Sequence, residues 1–465
     1  MANTYLSRTP ATVGNQKTFT TSVWVKRATG TIANGDFDSS NYIISYVAQS
    51  GSPAPRGAIW LSETGILAWG CNPSGSVWEP ESNVQVNGTN VLFRDPSAWY
   101  HIVFAVDTTQ ATESNRLKCW VNGVQYSMSA YPAQNLDTGY NYTHIHNIGR
   151  YASGGTGYSS FLMSHFHQID GTAYDASAFG EFDATTGIWK PKTAPSVTYG
   201  TNGFFLKFEN SGSMGLDSSP NGNDFTVNGT LTQTVDTPTN VFATLNGLNV
   251  GGGNSTLSNG NTTYSLSNYS YNTRSTLGMP SGKFYWEQKV NATSDVRIGL
   301  CTSGFTTDLD TDSVNAYYGG SGGGGVYVLN SGPSTSWQRT NNDTSRNIDT
   351  YSTAIASGST SILMGAVDVD AGKLWVGVDG VWMNSGNPAT GANAQITFTN
   401  NSGDELQIFA GYGTSSARVS SFNFGNGYFG TTAISSEGIN ASGNGKFEYD
   451  VPTGFTALST KGLNL

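Results

Sequence analysis

Hydrophobic and polar residues alternate along short stretches of the first half of the chain. Residues 18–26 place Phe19, Val23 and Val25 on one face and Trp24 on the other. A period of two is typical of a β-strand with one buried face. These residues therefore predict a strand that lies over a core.

Other stretches of the first half read in the same way. Residues 99–106 form a longer apolar run, as expected for a buried strand. Residues 117–121 end at Asn122-Gly123, a dipeptide that favours a type I′ hairpin turn. Strands at this spacing, with no helix of any length between them, predict a β-sandwich.

The pattern returns in the second half. Residues 283–290 and 362–370 are strand-like, and residues 373–378 lead to a further hairpin turn at Asp379-Gly380. A second sandwich is predicted here.

Composition supports ordered β-structure. The 465 residues include 58 glycines and only 12% charged residues, but aromatic residues reach 12%, which argues against disorder. The net charge of −10 argues against nucleic acid as a partner, because such a surface repels phosphate. No apolar run is long enough to insert into a membrane.

Cysteine usage and the N-terminus suggest where the chain is made. Cys71, Cys119 and Cys301 are odd in number and widely spaced, so neither a disulfide framework nor a zinc knuckle is indicated. The first residues lack an apolar signal core. Synthesis in a reducing cytoplasm, without a signal peptide, is expected.

The second half resembles a SPRY domain. The resemblance rests on residues 281–287, 297–300 and 364–382 and covers about residues 255–430. It implies a sandwich whose loops recognise proteins or peptides. The first half resembles the laminin-G and concanavalin-A-like lectin superfamily. The matching segments are residues 19–27, 99–104, 119–123 and 169–171.

The arrangement as a whole resembles virion proteins of tailed phages that infect marine bacteria and cyanobacteria. This resemblance implies a structural or receptor-binding role on a virion. The segments that carry it are residues 1–9, 179–183, 187–191, 200–204, 217–223 and 236–240.

Taken together, the chain is predicted to be all-β, with two concanavalin-A-like jelly-roll sandwiches. Residues 1–210 form the lectin-type sandwich and residues 255–430 the SPRY-like sandwich. Residues 211–254, rich in Gly, Asn, Ser and Thr, are predicted to be a linker. Residues 431–465 are predicted to be a tail that packs on a sandwich or on the virion.

Aromatic side chains in loops are the candidates for glycan binding, because an aromatic ring stacks on the apolar face of a sugar. Each candidate lies near Gly, Asn, Ser or Asp. Packing over a loop is the alternative for any one of them. They are Trp78, Tyr140, Tyr142, Tyr317, Tyr318 and Trp337.

Two His-x-His pairs are the candidates for a metal site. His144 and His146, like His165 and His167, could place both rings on one strand face. No Cys or carboxylate ligand aligns with them, so the expectation is that no metal and no cofactor is bound.

Enzymatic activity is not expected. Glycoside hydrolysis needs two carboxylates at a fixed separation, and the clustered acids of residues 79–81, 181–183 and 308–312 lie in turn-like or loop contexts. No nucleophile elbow or phosphate loop is present.

The leading hypothesis is a non-enzymatic virion surface protein, a tail fibre, adhesin or head fibre that binds host polysaccharide. Its partners would be other virion proteins and host polysaccharide, with homo-oligomers possible. One alternative is a structural decoration protein that binds only virion proteins. The other is a polysaccharide depolymerase.

Overall fold

The computed structural model describes most of the chain. The described residues are 4–27, 41–48, 55–75, 78–151, 157–250, 255–267, 272–291, 296–302, 325–330, 336–340, 347–350, 361–398, 405–412 and 417–464.

The chain forms two compact units, each described by itself. Unit 1 consists of Met1–Arg27 and Thr31–Gln233, and unit 2 consists of Ala28–Gly30 and Thr234–Leu465. The predicted linker, residues 211–254, is therefore corrected, because its residues belong to both units. Phe225 is buried in the core of unit 1, and Leu245 is buried in the core of unit 2.

Unit 1 is built from sixteen strands among the described residues. They are β1 (Tyr5–Arg8), β2 (Thr18–Arg27), β3 (Asn41–Val47), β4 (Arg56–Leu61), β5 (Leu67–Asn72), β6 (Glu81–Val86), β7 (Thr89–Asn90), β8 (Trp99–Asp107), β9 (Leu117–Val121), β10 (Val124–Met128), β11 (Ile145–Ile148), β12 (Phe161–Asp170), β13 (Gly180–Phe182), β14 (Trp189–Pro191), β15 (Phe204–Leu206) and β16 (Thr226–Asn228).

These strands pair antiparallel in the order β15-β12-β2-β8-β9-β10-β6-β5-β4-β3-β11-β1-β16, while β7 pairs with β6 and β13 pairs with β14. One buried cluster holds Phe19 and Phe104 from one half of this order together with Ile44 and Trp69 from the other. The long sheet therefore folds over on itself into a sandwich, which buries the apolar face of each half.

Unit 2 contributes seventeen described strands. They are β17 (Ser255–Ser258), β18 (Thr263–Leu266), β19 (Asn272–Arg274), β20 (Lys283–Val290), β21 (Val296–Thr302), β22 (Gly325–Asn330), β23 (Ser336–Thr340), β24 (Asn347–Thr350), β25 (Ile362–Asp368), β26 (Lys373–Val378), β27 (Val381–Trp382), β28 (Ile396–Thr397), β29 (Leu406–Tyr412), β30 (Arg418–Asn423), β31 (Tyr428–Phe429), β32 (Thr432–Ala433) and β33 (Thr456–Ala457).

Two sheets of unit 2 face each other. One has the order β17-β18-β30-β20-β25-β26-β27, with β28 and β33 at its side, and the other has the order β19-β29-β21-β22-β23-β24. Trp286 and Val376 of the first sheet and Ile298 and Ile408 of the second share one buried cluster. The prediction of an all-β fold with two sandwiches is confirmed.

The described part of the predicted C-terminal tail, residues 431–464, packs on the sandwich of unit 2. Its strand β33 pairs in parallel with β20, and Phe447 and Phe455 pack on the outer face of the sheet with Tyr285 and Trp375.

The helices of the described residues are short 3₁₀ turns. They are Glu113–Asn115, Ala176–Ala178, Met383–Ser385, Pro388–Thr390 and Gly462–Asn464. Within the described part of the chain, no helix is long and apolar enough to cross a membrane.

Candidate functional site

A cleft of about 910 Å³ lies on the outer face of unit 1. Its floor is formed by β8, β9 and β10, and one wall is formed by residues 173–192, which cross over that face. The aromatic residues that line it are Tyr174, Phe182, Trp120 and Trp189. The polar and charged residues that line it are Asp107, Gln110, Asn115, Lys118, Gln125, Asp175, Ser177, Glu181 and Lys192.

The side chains of strand β9 point alternately into the core and onto the floor of the cleft. The burial of the strand alternates residue by residue, so that Lys118 and Trp120 point outward, while the residues between them lie in the core. Gln125 of β10 lies opposite Trp120, and Ala105 of β8 lies opposite Lys118. The small Ala105 side chain leaves space beside the lysine.

The wall is fixed by local turns. The Asp175 carboxylate accepts a hydrogen bond from the Ser177 N–H (2.8 Å) at the start of a 3₁₀ turn. Strands β13 and β14 then form a hairpin in which Phe182 lies opposite Trp189. At its tip, Asp183 accepts bonds from the Thr186 N–H (3.0 Å) and the Lys190 ammonium (3.0 Å). These donors lower the pKa of the Asp183 carboxyl.

Trp189 anchors the hairpin to the sheet. Its ring lies over two glycines, and a Cβ added at Gly123 or Gly180 would come within 2.7 or 2.5 Å of it. Its Nε1–H donates to the Nδ1 of His101 (2.9 Å). The sequence Asn122-Gly123 forms the predicted hairpin turn, with positive φ at both residues, and it thereby also makes room for the tryptophan.

His101 is held in one tautomer beneath this contact. Because Nδ1 accepts from Trp189, the neutral ring carries its proton on Nε2, which donates to the Ser22 hydroxyl oxygen (2.9 Å). The ring stacks on Trp24 (centroids 4.8 Å apart). Burial lowers the pKa of His101 to about 3, so the ring is neutral near pH 7.

At the other end of the cleft, Asp107 is engaged in the loop that follows β8. Its carboxylate accepts hydrogen bonds from the Thr109 N–H (3.1 Å), the Thr109 hydroxyl (2.6 Å) and the Gln110 amide (2.6 Å). These bonds lower its pKa, although burial opposes them. Asn115 closes this end as an exposed amide.

The arrangement suits a polar ligand with apolar faces. Aromatic rings supply stacking surface, and the amides and carboxylates around them can bond hydroxyl groups. Phe182 is 60% exposed, and its ring meets the ring of its hairpin partner Trp189 edge-on, with centroids 4.9 Å apart.

The structure corrects the prediction for Tyr140. Its side chain is completely buried and stacks on Phe19 (4.9 Å), and it meets Tyr46 edge-on (4.8 Å). It is a core residue because the loop that carries it folds inward between the two halves of the sheet, and it offers no ring to a ligand.

Trp78 and Tyr142 are half-buried and lie away from the cleft. The Trp78 ring packs over Gly70 and lies 5.7 Å from the Arg56 guanidinium. Tyr142 packs on His144, with centroids 4.5 Å apart. The structure does not bring these two residues together with the cleft aromatics.

The three remaining aromatic candidates belong to unit 2. Tyr317 and Tyr318 lie outside the described residues. Trp337 lies within strand β23, not in a loop as predicted.

The first histidine pair forms a local contact. The buried His146 bonds through Nδ1 to the carbonyl oxygen of His144 (2.9 Å). A carbonyl only accepts, so Nδ1 carries the proton. Burial lowers the pKa of His146 to about 4 and also lowers that of His144.

The second pair sits at a β-bulge between Ser164 and His167. His165 has a positive φ of 47° there. The buried His167 bonds to the Tyr199 hydroxyl (2.9 Å) and stacks on Phe205 (3.9 Å). Within the residues that the structure describes, no three His, Cys, Asp or Glu side chains form a group that could hold a metal ion.

Sequence reasoning missed the cleft aromatics Trp120, Phe182 and Trp189. A signal for Trp120 was present, because it falls on the polar face of an alternating strand, beside Lys118. The wall depends on a crossing of residues 173–192 over β9, which no local pattern in the sequence indicates.

No protein-family model and no curated protein sequence matches the chain. Among solved structures, the mouse laminin alpha1 chain domains LG4-5 cover 98% of this chain and 84% of their own, with 10% identity and a TM-score of 0.28. The TRIM65 PSpry domain matches 39% of this chain and 88% of its own, with 12% identity and a TM-score of 0.29. The SPRY domain of human HERC1 matches 38% and 96%, with 10% identity and a TM-score of 0.26.

Proposed function

We propose that the protein binds a glycan in the cleft of unit 1. The observation that carries this proposal is the cleft itself, where Trp120, Trp189 and the exposed Phe182 line one space with the amides of Gln110 and Gln125. Sugars present apolar C–H faces and hydroxyl edges, and this lining offers a partner for each.

Replacing Phe182 by alanine is expected to weaken glycan binding about tenfold. The ring is 60% exposed, so its loss is expected to remove roughly 1–2 kcal/mol of contact with the ligand and to leave the fold intact. The measurement is titration calorimetry of the full chain with a glycan identified on a glycan array.

Ile188→Ala is the matched control for this variant. Ile188 lies on the same hairpin and is 63% exposed, but it does not line the cleft. Equal losses in the two variants, or no loss in either, would count against the cleft as the binding site.

We also propose that the protein is a surface component of a tailed-phage virion, with host polysaccharide and other virion proteins as partners. The support is the sequence resemblance of six short segments, from the opening residues to residues 236–240. Labelling with antibodies against the chain in electron micrographs of purified virions tests this placement, and a virion without label contradicts it.

Binding without cleavage is the form of activity that we propose. Asp107, Asp175 and Glu181 line the cleft, but each is engaged by loop donors or by a lysine. Release of reducing ends from a bound polysaccharide would instead favour a depolymerase.

A further inference from the structure

The charged groups of the cleft differ in how far they are already engaged. Asp175 accepts bonds from both the N–H and the hydroxyl of Ser177 (2.8 and 2.6 Å). Glu181 lies 3.8 Å from the Lys190 ammonium. Lys192 donates to the Ser177 carbonyl oxygen (2.6 Å). Each of these side chains therefore has a partner in the wall.

Asp107, at the end of the cleft formed by the loop after β8, also has partners. One of its oxygens accepts a hydrogen bond from Thr109 and the other from Gln110. Three donors bond one oxygen of this carboxylate and one donor bonds the other, so a ligand would compete with contacts that already exist.

Lys118 is the exception. It lies half-buried on the floor of the cleft, and no described residue forms a hydrogen bond or ion pair with its ammonium group. Opposite it lies Ala105, which can neither pair with the charge nor fill the space. The positive charge of this ammonium group is therefore available to a ligand.

Lys118 also stands beside the stacking surface. It lies two residues before Trp120 on the same face of β9, a separation of about 7 Å along a strand. A sugar ring stacked on Trp120 can direct an exocyclic group toward the lysine across this distance.

We propose that the glycan bound in the cleft carries uronic acid units, and that Lys118 pairs with their carboxylates. This inference rests on the proposed glycan-binding function and names the class of ligand. A half-buried ammonium group in a cleft forms a charge-assisted hydrogen bond that is stronger than one at an open surface.

The test compares an acidic ligand with its methyl ester, which lacks the charge and adds one methyl group per unit. Oligogalacturonate carries a carboxylate on each unit, and its methyl ester is neutral. Acidic oligomers of mannuronate and glucuronate, each with its methyl ester, extend the series. Binding to the full chain is measured by titration calorimetry at low and at physiological salt.

At least one acidic oligomer is expected to bind tenfold or more tightly than its ester. Lys118→Gln should remove this preference and leave affinity for the ester unchanged, while Lys118→Arg should keep most of it. Lys17→Gln is the control, because it changes the net charge equally and lies outside the cleft.

The outcomes separate this inference from the proposed function. A preference that survives in Lys118→Gln, or equal binding of acid and ester, overturns the role of Lys118 and leaves glycan binding standing. If neutral glycans bind and every acidic oligomer fails to bind, the role of Lys118 is likewise overturned and glycan binding still stands. If no glycan binds, acidic or neutral, both proposals fail.

Discussion

Unit 1 is expected to unfold on acidification from pH 7 to about pH 4, while unit 2 remains folded. All five histidines of the chain lie in the first half of the sequence. Burial lowers the pKa of every one of them, to about 3 for His101 and about 4 for His146. A second titratable ring, that of His165, also lowers the pKa of His101, because two protonated imidazoles would repel each other.

The direction of this pH dependence follows from the linkage between proton binding and folding. The unfolded chain binds protons at its histidines below about pH 6.5, and the folded unit does so only at lower pH. The stability that neutral histidines provide is therefore present above pH 6.5 and is lost as the pH falls. By pH 4, His101 and His146 together remove roughly 6 kcal/mol, which is comparable with the whole stability of a domain.

The stability of unit 2 depends on pH in the opposite direction. This unit contains no histidine, and burial raises the pKa of Glu287 to about 7. Glu287 is therefore protonated at a higher pH in the folded unit than in the unfolded chain. The contribution of Glu287 to stability is therefore complete below about pH 4.5 and is lost as the pH rises toward 7.

The three buried cysteines report on the two units separately. Cys71 and Cys119 lie in unit 1 and Cys301 lies in unit 2. Pulse labelling of the full chain with a disulfide reagent, read by mass spectrometry, is expected to modify Cys71 and Cys119 at a higher pH than Cys301.

His146→Asn provides the matched variant. Asparagine can still donate to the His144 carbonyl oxygen, but it does not titrate, so the labelling midpoint of Cys71 should move to lower pH. Labelling of all three cysteines at one pH, or an unmoved midpoint in His146→Asn, would contradict the histidine mechanism.

The strands were predictable because their signal is local. The alternation of residues 18–26 places Phe19 in the core and Trp24 on the outer face, as the structure has them. The turn residues Asn122-Gly123 and Asp379-Gly380 likewise encode their own conformation, with positive φ at each residue.

The cleft and the division between units were not predictable in this way, because both depend on contacts between distant residues. Tyr140 stands among Gly and Asn, as a loop residue does, yet it fills the core beside Phe19 and Tyr46. Only the fold of the long sheet determines which loop aromatics lie inside.

One motif of the virion-like resemblance has a structural explanation. Asp217 is buried and accepts hydrogen bonds from the backbone N–H groups of Phe205 (2.8 Å) and Asn223 (2.7 Å). The Asn223 amide in turn donates to the carbonyl oxygen of Gly203 (2.8 Å). Hydrogen bonds thus join residues 200–204 and 217–223 to each other and to strand β15 of unit 1.

Glu287→Leu is expected to release the C-terminal segment from unit 2. The side chain of Glu287 is fully buried, and its two carboxyl oxygens accept four hydrogen bonds. The donors are the Tyr285 hydroxyl (3.0 Å), the Asn423 amide (3.1 Å), the Glu448 N–H (3.0 Å) and the Tyr449 N–H (2.8 Å).

Two of these donors belong to the backbone of the C-terminal segment, so Glu287 joins that segment to strand β20. Leucine has a similar volume but no acceptor, so all four donors would lose this partner; the Asn423 amide would keep only its bond to the Lys446 carbonyl oxygen (2.9 Å). Each such group costs about 1–3 kcal/mol, so the variant should lose roughly 4 kcal/mol or more.

Glu287→Gln and Glu437→Leu separate the causes of this loss. Glutamine keeps one acceptor oxygen but places an amide N–H₂ against the remaining donors, so an intermediate loss is expected. Glu437 is a surface carboxylate of the same segment, paired with Lys446 at 3.0 Å, and its removal should cost less than about 1 kcal/mol.

Hydrogen exchange at the amides of Glu448 and Tyr449 distinguishes release of the segment from general unfolding. In Glu287→Leu these amides should exchange far faster than those of β21, in the opposite sheet. Release would also uncover the face where Phe447 and Phe455 pack on Tyr285 and Trp375, and near-ultraviolet circular dichroism would register the loss of that packing.

If the two amides stay protected in Glu287→Leu, or if Glu437→Leu destabilises unit 2 equally, the buried side chain of Glu287 does not hold the segment. Apolar packing alone would then account for its attachment.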